Sequence, residues 1–256
     1  MRAEESPALP VRPRIAAVML AGGEGRRMGG ADKQRIELDG TPLGLRIVSL
    51  LSGHFSELIV VTGNAGLYAH TEVHTVTDII PGFGPLSGLH AALSSTGADW
   101  IYLAACDMPH FSPSWAAYLA SLALRTPPEG PESRAAIVAA FGPHIEPFHA
   151  LYSRACLGVL ETLLTTRSEE RSEAAGNTFA RRPSFRDFLA HVPHRVVPER
   201  EARRFSPDWR LFLNINRPED LAAYSAESGG SRDVEGPGGP GGPGGGIRAN
   251  SVKVER

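Results

Sequence analysis

Residues 15–33 read IAAVMLAGGEGRRMGGADK, and the fold class follows from this stretch. Its first six residues are apolar without interruption, which is typical of a strand buried on both faces of a parallel sheet. Five glycines follow between residues 22 and 30. They predict a loop whose backbone N–H groups hold phosphate oxygens, while Arg26 or Arg27 and Lys33 supply positive charge for a triphosphate. A flexible surface turn is the alternative for such a loop.

The spacing within this loop excludes two common nucleotide-binding motifs. A Walker loop ends in Gly-Lys followed by Ser or Thr, which is absent here. A dinucleotide fingerprint opens straight into a helix after its third glycine, but Met28 stands at that position. The chain then runs on to Pro42 before a helical pattern begins. The loop therefore predicts phosphate binding of another kind.

Short apolar runs alternate with segments of helical periodicity along the chain. The runs that indicate buried strands are residues 15–20, 58–62, 74–77, 100–106, 135–141 and 211–215. Helical patterns span residues 43–51, 85–93, 113–124 and 153–165. This alternation predicts an α/β fold: a single-domain, Rossmann-like three-layer α/β/α sandwich with a mostly parallel sheet. Ligands of such sheets bind at the carboxyl ends of the strands.

The 256 residues are enough for one large domain or two small ones. Residues 14–225 contain the alternating pattern and are predicted to form one domain, preceded by a flexible arm at residues 1–13. Ten of the 28 glycines lie between residues 229 and 246, among prolines. Because this segment has few apolar residues to offset the entropy of ordering, residues 226–256 are predicted to be a disordered tail. Residues 125–134 and 165–183 lack periodicity and are interpreted as surface insertions.

Charge and cysteine content exclude several classes of protein. The 26 Lys and Arg residues nearly balance the 28 Asp and Glu residues, for a formal net charge of −2. A dedicated nucleic-acid binder normally has a basic excess, so nucleic acid is not an expected partner. No apolar run approaches the roughly 18 residues that a membrane-spanning helix needs, so no membrane association is expected. Two cysteines cannot form a disulfide framework, which favours a reducing, cytoplasmic location.

Polar side chains follow the predicted strands. Asp107 comes directly after an apolar strand, where a divalent cation would offset the cost of burying its carboxylate; a turn or helix N-cap is the alternative. Asp78 can accept hydrogen bonds from a base or a ribose, and turn capping is again the alternative. Asn214 and Asn216 lie two apart in the last predicted strand and would point the same way, which suits a shared polar site. Helix N-capping is the alternative for Asn216.

Other residues carry structural signals. Gly84-Pro85 marks a tight turn into a helix N-terminus, and Gly88 in its first turns indicates that another element packs closely on that backbone. Cys106 is interpreted as strand packing, since no His or Asn follows in a thiol-protease pattern. A further set lies near a predicted strand without the spacing of a zinc site, namely His144, Glu146 and His149.

Taken together, these residues resemble the nucleotidyltransferase family, and most closely its molybdenum cofactor guanylyltransferases. The matching pieces are Leu20-Ala21-Gly22-Gly23, Arg27-Met28-Gly29-Gly30-x-Asp32-Lys33, Asp78, Gly84-Pro85-Leu86-x-Gly88, Cys106-Asp107-x-Pro109 and Asn214-x-Asn216-x-Pro218-Glu219-Asp220. The resemblance covers residues 14–225, which would then be a catalytic domain. The Gly-Gly pair that leads to Asp-Lys is its most specific part, because related cytidylyl- and sugar-nucleotide transferases share the start of the loop but not this ending.

The resemblance implies an enzyme that transfers GMP from GTP to the phosphate of molybdopterin and releases pyrophosphate. Mg²⁺ is the implied cofactor, with Asp107 as its ligand. Arg27, Lys33 and Asp107 are the implied catalytic residues, and Asn214 and Asn216 are implied to contact the acceptor substrate. The residues implied to bind the nucleotide are Leu20, Ala21, Gly22, Gly23, Lys33, Asp78, Gly84 and Asp107. Transient contact with cofactor-biosynthesis proteins or molybdoenzymes is also implied.

The sequence departs from the family pattern at three points, one of which is an extra insertion at residues 167–182. The family often has Asn after the second strand, where this chain has Thr62, with Asn64 two residues later. Gln34 and Arg35 follow Lys33 where the family tends to be apolar. Two alternatives therefore stay open. One is a transferase of the same fold that uses CTP or another NTP on a different phosphorylated acceptor. The other is a non-catalytic nucleotide-binding module, although such a module would be expected to have lost the metal ligand or the loop cations.

Overall fold

The computed structural model describes residues 13–22, 32–126, 134–173, 182–216, 219–222 and 224. Gly23 and Arg27, which are predicted to belong to the glycine loop, lie outside the described residues. The predicted arm up to residue 12 and the predicted tail from residue 226 also lie outside them. In the described part of the chain, no helix is long and apolar enough to cross a membrane.

A mixed sheet of seven strands lies at the centre of the molecule. The strands in chain order are β1 (Ile15–Leu20), β2 (Glu37–Leu38), β3 (Thr41–Pro42), β4 (Leu58–Val61), β5 (His74–Val76), β6 (Trp100–Ala105), β7 (Ala136–Phe141), β8 (His144–Ser153) and β9 (His194–Val197). The order in the sheet is β5-β4-β1-β6-β8-β7-β9, while β2 and β3 form a separate ribbon. Only β8 runs antiparallel to its neighbours among these seven strands.

Helices cover both faces of the sheet. They are α1 (Leu43–Ser52), α2 (Pro85–Ser95), α3 (Pro113–Leu124), α4 (Cys156–Glu173), α5 (Phe185–Leu189) and α6 (Glu199–Ala202), with 3-10 helices at Lys33–Arg35, Ala65–Tyr68 and Arg210–Phe212. α1 and α3 share one apolar core with the sheet. α2, α4 and α5 share the other. This arrangement confirms the predicted three-layer α/β/α fold class.

The central position of β1 explains its uninterrupted apolar sequence. It pairs in parallel with β4 on one side and with β6 on the other. Ala17 and Met19 face the core with α1 and α3, whereas Ala16 and Val18 face the core with α2 and α4, and all four are completely buried. Burying a side chain as large as Met19 contributes about 2 kcal/mol. The carboxyl end of β1, where the glycine loop begins, therefore lies in the middle of the sheet edge.

The turn before α2 forms as predicted. Gly84 has a φ of 60°, a left-handed conformation that favours glycine, and Pro85 is the first residue of the helix. A Cβ placed on Gly88 would stand 2.9 Å from Leu20 Cδ2. The absence of a side chain at Gly88 therefore lets α2 lie directly against the end of β1.

The prediction of a strand at residues 211–215 is wrong. Arg210–Phe212 form a 3-10 helix. This helix places Leu211 and Phe212 together in the core of the α3 face, whereas a strand would direct them to opposite faces of the sheet. Ile215 packs into a separate small cluster beside β2 and α1. A short apolar run cannot be assigned to a strand or to another buried element by periodicity alone.

α4 is longer than predicted, and this corrects the interpretation of residues 165–183 as an irregular insertion. The helix continues to Glu173, although the last buried side chain within residues 156–169 is Leu164. Residues 165–169 are exposed, and the sequence up to residue 173 is rich in Arg and Glu, which are good helix formers but leave no apolar period to detect. The rest of the predicted insertion, up to residue 181, lies outside the described residues.

Gly44 marks a close approach between α1 and the segment after β4. A Cβ added there would overlap the Tyr68 hydroxyl and stand 3.2 Å from Gln34 Cβ. We expect Gly44→Ala to lower the free energy of unfolding by about 1–3 kcal/mol, despite the better helix propensity of alanine. Urea unfolding measures the change. Gly53→Ala is the matched control, because the nearest atom lies 3.8 Å away. Equal effects of the two substitutions would contradict this packing.

Candidate functional site

The candidate site lies at the carboxyl end of β1. The Ala21 N–H donates to the Val61 carbonyl at 2.9 Å, and the Cys106 N–H donates to the Leu20 carbonyl at 3.0 Å. Leu20 and Ala21 are buried, whereas Gly22 is exposed. The chain therefore leaves the sheet at Gly22, at the edge where parallel α/β sheets bind their ligands.

Three side chains that are far apart in the sequence meet beside this point. Lys33 Nζ donates to Asp107 Oδ2 and to Asn216 Oδ1, each at 2.7 Å. The side chains of Lys33 and Asp107 are 21% and 20% exposed. An ion pair shielded to this extent is screened less than a surface pair and is still within reach of a ligand. The structure thus brings three of the predicted site residues into one cluster, which we call the Lys–Asp–Asn cluster.

Three separate elements position this cluster. Lys33 begins the 3-10 helix that closes the glycine loop, and Asp107 follows β6. Asn216 is brought to them by the backbone, because the Ile215 N–H donates to the Asp107 carbonyl at 2.7 Å. The segment after the Arg210–Phe212 helix is therefore tied to the end of β6 even though it is not a strand.

The two asparagines have different surroundings. The side chain of Asn216 accepts a hydrogen bond from Lys33, while its N–H donates to Asp220 Oδ2 at 2.9 Å. Asn214 is exposed, and among the described residues no hydrogen bond joins its side chain to Lys33 or Asp107. They do not share a strand, which was the basis for expecting a common direction.

Asp78 and Gly84 lie on the other side of β1. Asp78 comes after β5, the edge strand, and although the residue is exposed, partial desolvation of its carboxyl group raises its pKa. Gly84 directly precedes α2, whose first-turn N–H groups point toward the same edge. Three strand spacings separate the ends of β5 and β6, or about 14 Å. The strand ends that precede Asp78 and Asp107 are therefore separated by about the length of a nucleotide.

A buried group of polar side chains on the β4 side of Lys33–Arg35 was missed from the sequence. We call Asp32, Gln34, Thr62, Asn64 and Tyr68 the polar cluster. Gln34, only 3% exposed, accepts hydrogen bonds at Oε1 from Thr62 Oγ1 (3.0 Å) and from the Tyr68 hydroxyl (2.8 Å). Its Nε2 donates to Asp32 Oδ2 at 3.0 Å. The available signal was the departure from the family pattern at Gln34 and Thr62.

The polar cluster also shows which residue after β4, Thr62 or Asn64, is accessible to a ligand. Thr62 is buried, and its hydroxyl oxygen accepts a hydrogen bond from the Asn64 N–H at 2.9 Å. Asn64 is partly exposed, and its Nδ2 donates to Asp32 Oδ2 at 3.0 Å. Of the two residues, Asn64 is therefore the one that a ligand at this edge can reach.

His149 belongs to the core. Its Nδ1 lies 2.8 Å from the Tyr102 hydroxyl, and its carbonyl accepts a hydrogen bond from Trp115 Nε1 at 2.7 Å. Burial, assisted by the nearby His110, lowers the pKa of His149 to about 3, so the ring is neutral at physiological pH. Burial likewise raises the pKa of the Cys106 thiol to about 12, in agreement with a packing role.

The residues near His149 do not assemble into a metal site. His144 is exposed, and Glu146 is partly buried, with a pKa raised by desolvation. Within the described ranges, no group of three or more His, Cys, Asp or Glu side chains is placed to hold a metal ion.

An α/β/α fold in which a lysine after a glycine-rich sequence contacts an aspartate that follows the neighbouring strand is the arrangement of a nucleotidyltransferase-type protein. The family model described as the MobA-like NTP transferase domain matches residues 17–178. The chain belongs to this family, which confirms the resemblance seen in the sequence.

Curated relatives and a solved structure agree with this assignment. The chain is 35% identical over 215 residues to the molybdenum cofactor guanylyltransferase of Syntrophotalea carbinolica, covering 84% of this chain and 92% of that protein. It is 32% identical over 210 residues to a protein of Peptoclostridium acidaminophilum named "probable molybdenum cofactor guanylyltransferase", covering 82% and 88%. The structure of molybdopterin-guanine dinucleotide biosynthesis protein A from Archaeoglobus fulgidus superimposes with a TM-score of 0.66 at 23% identity, covering 84% of this chain and 99% of that one. The last similarity supports the fold.

The buried His149 should make the protein sensitive to acid. Its folded-state pKa of about 3 lies below the value of about 6.5 expected in the unfolded chain, so stability is lost as the pH falls between these values. His149→Asn cannot titrate, and asparagine tolerates the left-handed φ of 48° at this position. Below pH 6 we expect wild type to lose up to about 1.4 kcal/mol of unfolding free energy per pH unit relative to the variant. Parallel pH profiles in urea unfolding would contradict a neutral buried ring.

Proposed function

We propose that this protein transfers GMP from GTP to the terminal phosphate of molybdopterin, forming molybdopterin guanine dinucleotide and releasing pyrophosphate. The observation that carries the proposal is the Lys–Asp–Asn cluster at the end of the glycine loop. Membership of the NTP transferase family supports nucleotidyl transfer. The names of the curated relatives support guanylyl transfer to the molybdenum cofactor.

The nucleotide would lie across the carboxyl end of β1. Its phosphates would contact the backbone near Gly22 and the ammonium of Lys33, with Gly23 and Arg27 of the glycine loop as further contacts. Its guanosine would extend toward Asp78 and the turn at Gly84. Guanine presents two adjacent N–H donors on one edge, which a carboxylate can accept together, so a carboxylate at this end favours GTP over CTP.

Lys33 would neutralise phosphate charge from a fixed position. Its ammonium has three donors, of which two serve Asp107 and Asn216. The third can donate to a phosphate oxygen. Because both partners are anchored at the end of β6, the ammonium needs little reorganisation to stabilise charge that develops on the leaving pyrophosphate.

Mg²⁺ is the cofactor in this proposal, with Asp107 as its protein ligand. The donor set fits, because Mg²⁺ is usually held by one or two carboxylates together with water and substrate phosphates. The carbonyl oxygen of the Asn216 side chain lies beside the same lysine and adds a neutral oxygen donor. When bound, the ion supplies positive charge that neutralises and orients the triphosphate.

The reaction depends on positioning and charge neutralisation more than on acid–base chemistry. An oxygen of the molybdopterin phosphate attacks the α-phosphorus of GTP, and the bond from this phosphorus to the bridging oxygen breaks. Pyrophosphate leaves with the electron pair. Because a phosphate monoester is ionised near pH 7, no general base is required. Lys33 and Arg27 are the groups that would stabilise the leaving pyrophosphate, and Asn214 and Asn216 would contact the acceptor.

Two other functions are the alternatives to this proposal, and each predicts a different behaviour. A transferase of this fold that uses CTP or another NTP would bind that nucleotide in preference to GTP. A non-catalytic module would bind a nucleotide without transferring it, but the retention of Lys33 and Asp107 in contact favours catalysis. We also propose a cytoplasmic location and transient contact with cofactor-biosynthesis proteins or molybdoenzymes.

Thermal melting with Mg²⁺ and each of GTP, CTP, ATP and UTP tests the choice of nucleotide. A ligand at 100 times its Kd stabilises the native state by about 2.7 kcal/mol, which corresponds to a rise of roughly 5–10 °C in Tm for a domain of this size. We expect GTP to give the largest rise. A shift with CTP and none with GTP would overturn the guanylyl assignment.

Asp107→Ala tests the role of the carboxylate in transfer. We expect the formation of the dinucleotide to fall by at least about 100-fold, because the proposed metal ligand and the partner of Lys33 are both lost. Product formation from GTP and molybdopterin is measured, with circular dichroism as the check on folding. Asp208→Ala is the matched control, since the contacts described for Asp208, an exposed ion pair and a hydrogen bond from a backbone N–H, are both with Arg210. Full activity of Asp107→Ala would contradict the proposed mechanism.

A further inference from the structure

The 3-10 helix Lys33–Arg35 spans the carboxyl end of β1 and sends its side chains in two directions. Lys33 reaches Asp107 at the end of β6. The next residue, Gln34, reaches Thr62 at the end of β4. Because β1 lies between β4 and β6 in the sheet, this short helix is attached on both sides of the strand from which the glycine loop departs.

The attachment through Gln34 is the more completely buried of the two. A glutamine amide can make four hydrogen bonds, and Gln34 makes three, to Thr62, Tyr68 and Asp32, at 2.8–3.0 Å. The residue is 3% exposed. Breaking these bonds would leave Thr62 and Tyr68 with buried hydroxyl groups that lack this acceptor, which is costly. Gln34 is therefore held in one place.

The packing around Gln34 leaves little room for an alternative position. The backbone of Gly44 approaches both the Tyr68 hydroxyl and the Gln34 side chain so closely that a methyl group does not fit. Asp32, on the other side of Lys33 in the sequence, is fixed by hydrogen bonds from Gln34 and Asn64. Lys33 thus lies between two residues that belong to the polar cluster.

The sequence of the glycine loop is rich in the residue type that restricts the backbone least. Five of its residues between positions 22 and 30 are glycines, which restrict the backbone less than any other residue. In the part of the chain that the structure describes, the Lys33 ammonium is held by Asp107 and Asn216, and the residues on either side of Lys33 are joined by the hydrogen bond from Gln34 to Asp32.

We propose that Gln34 is a positioning residue for Lys33: by fastening the 3-10 helix to β4, it holds the lysine at the distance from Asp107 that phosphate binding requires. This inference rests on the proposed function and adds to it a residue that does not touch the substrate. The polar cluster also holds the amide of Asn64 at the same edge, so Gln34 sets the spacing between Asn64 and Lys33.

Gln34→Met tests this role, because methionine has a similar volume and cannot accept or donate these hydrogen bonds. We expect kcat for dinucleotide formation to fall about tenfold or more, with a smaller change in the KM for GTP, since a misplaced group costs mainly transition-state stabilisation. Tyr68→Phe removes one of the two donors to Gln34 Oε1 and should cause a smaller loss. If Gln34→Met does not fold, the same measurements are made on Tyr68→Phe.

A double-mutant cycle with Lys33→Ala separates positioning from general destabilisation. If Gln34 acts through Lys33, then Gln34→Met has almost no further effect on kcat in the Lys33→Ala background. A merely structural role would lower kcat by the same factor in both backgrounds, and that result would overturn the proposal. Wild-type transfer of GMP is measured first. Its absence would reject the proposed function, whereas wild-type activity with an additive cycle would reject only the role of Gln34.

Discussion

The hydrogen-bonded ion pair between Lys33 and Asp107 is the contact on which the site depends. Lys33 and Asp107 are 74 residues apart in the sequence. Asn216, the second acceptor for Lys33, is 183 residues away from that lysine. The pair forms only because β1 and β6 are neighbours in parallel register, with Leu20 opposite Ala105. A slip of one residue would turn the buried side chains of β1 to the opposite faces and displace the loop relative to Asp107. The apolar cores on both faces of the sheet therefore fix the geometry of the polar site at its edge.

Polar contacts attach the residues that follow the glycine loop to the ends of two strands. The sheet fixes where the glycine loop starts, since Ala21 and Cys106 are bonded into the ladder at that point. Lys33–Arg35, which follow the loop in the sequence, form a 3-10 helix and are not part of any strand of the sheet. There the Lys–Asp–Asn cluster attaches the chain to β6 and the polar cluster attaches it to β4. Buried hydrogen bonds suit this task because they are directional and costly to leave unmade.

The parts of this structure that could be predicted from the sequence are those with a local signal. β1 and β6 were recognised because each is apolar along its whole length, and Lys33 and Asp107 because they follow such strands. Residues 211–215 were assigned wrongly because a buried 3-10 helix and a buried strand have the same apolar composition. The polar cluster has no periodic signal, since Gln34 meets Thr62 and Tyr68 across 28 and 34 residues, and only the departure from the family pattern at Gln34 and Thr62 points to it. Contacts of this kind follow from the topology and not from periodicity.

The small net charge of the chain acquires a physical meaning at the site. Lys33 and Asp107 neutralise each other at 2.7 Å, so together they create little field beyond their immediate surroundings. Binding of a triphosphate would therefore depend on short-range hydrogen bonds and on a metal ion that brings its own charge. A strongly basic surface would instead attract any polyanion, including nucleic acid. In the proposed function, Lys33 and Arg27 together with the metal ion would hold the triphosphate, so a nearly neutral protein would not need a strongly basic surface to bind this nucleotide.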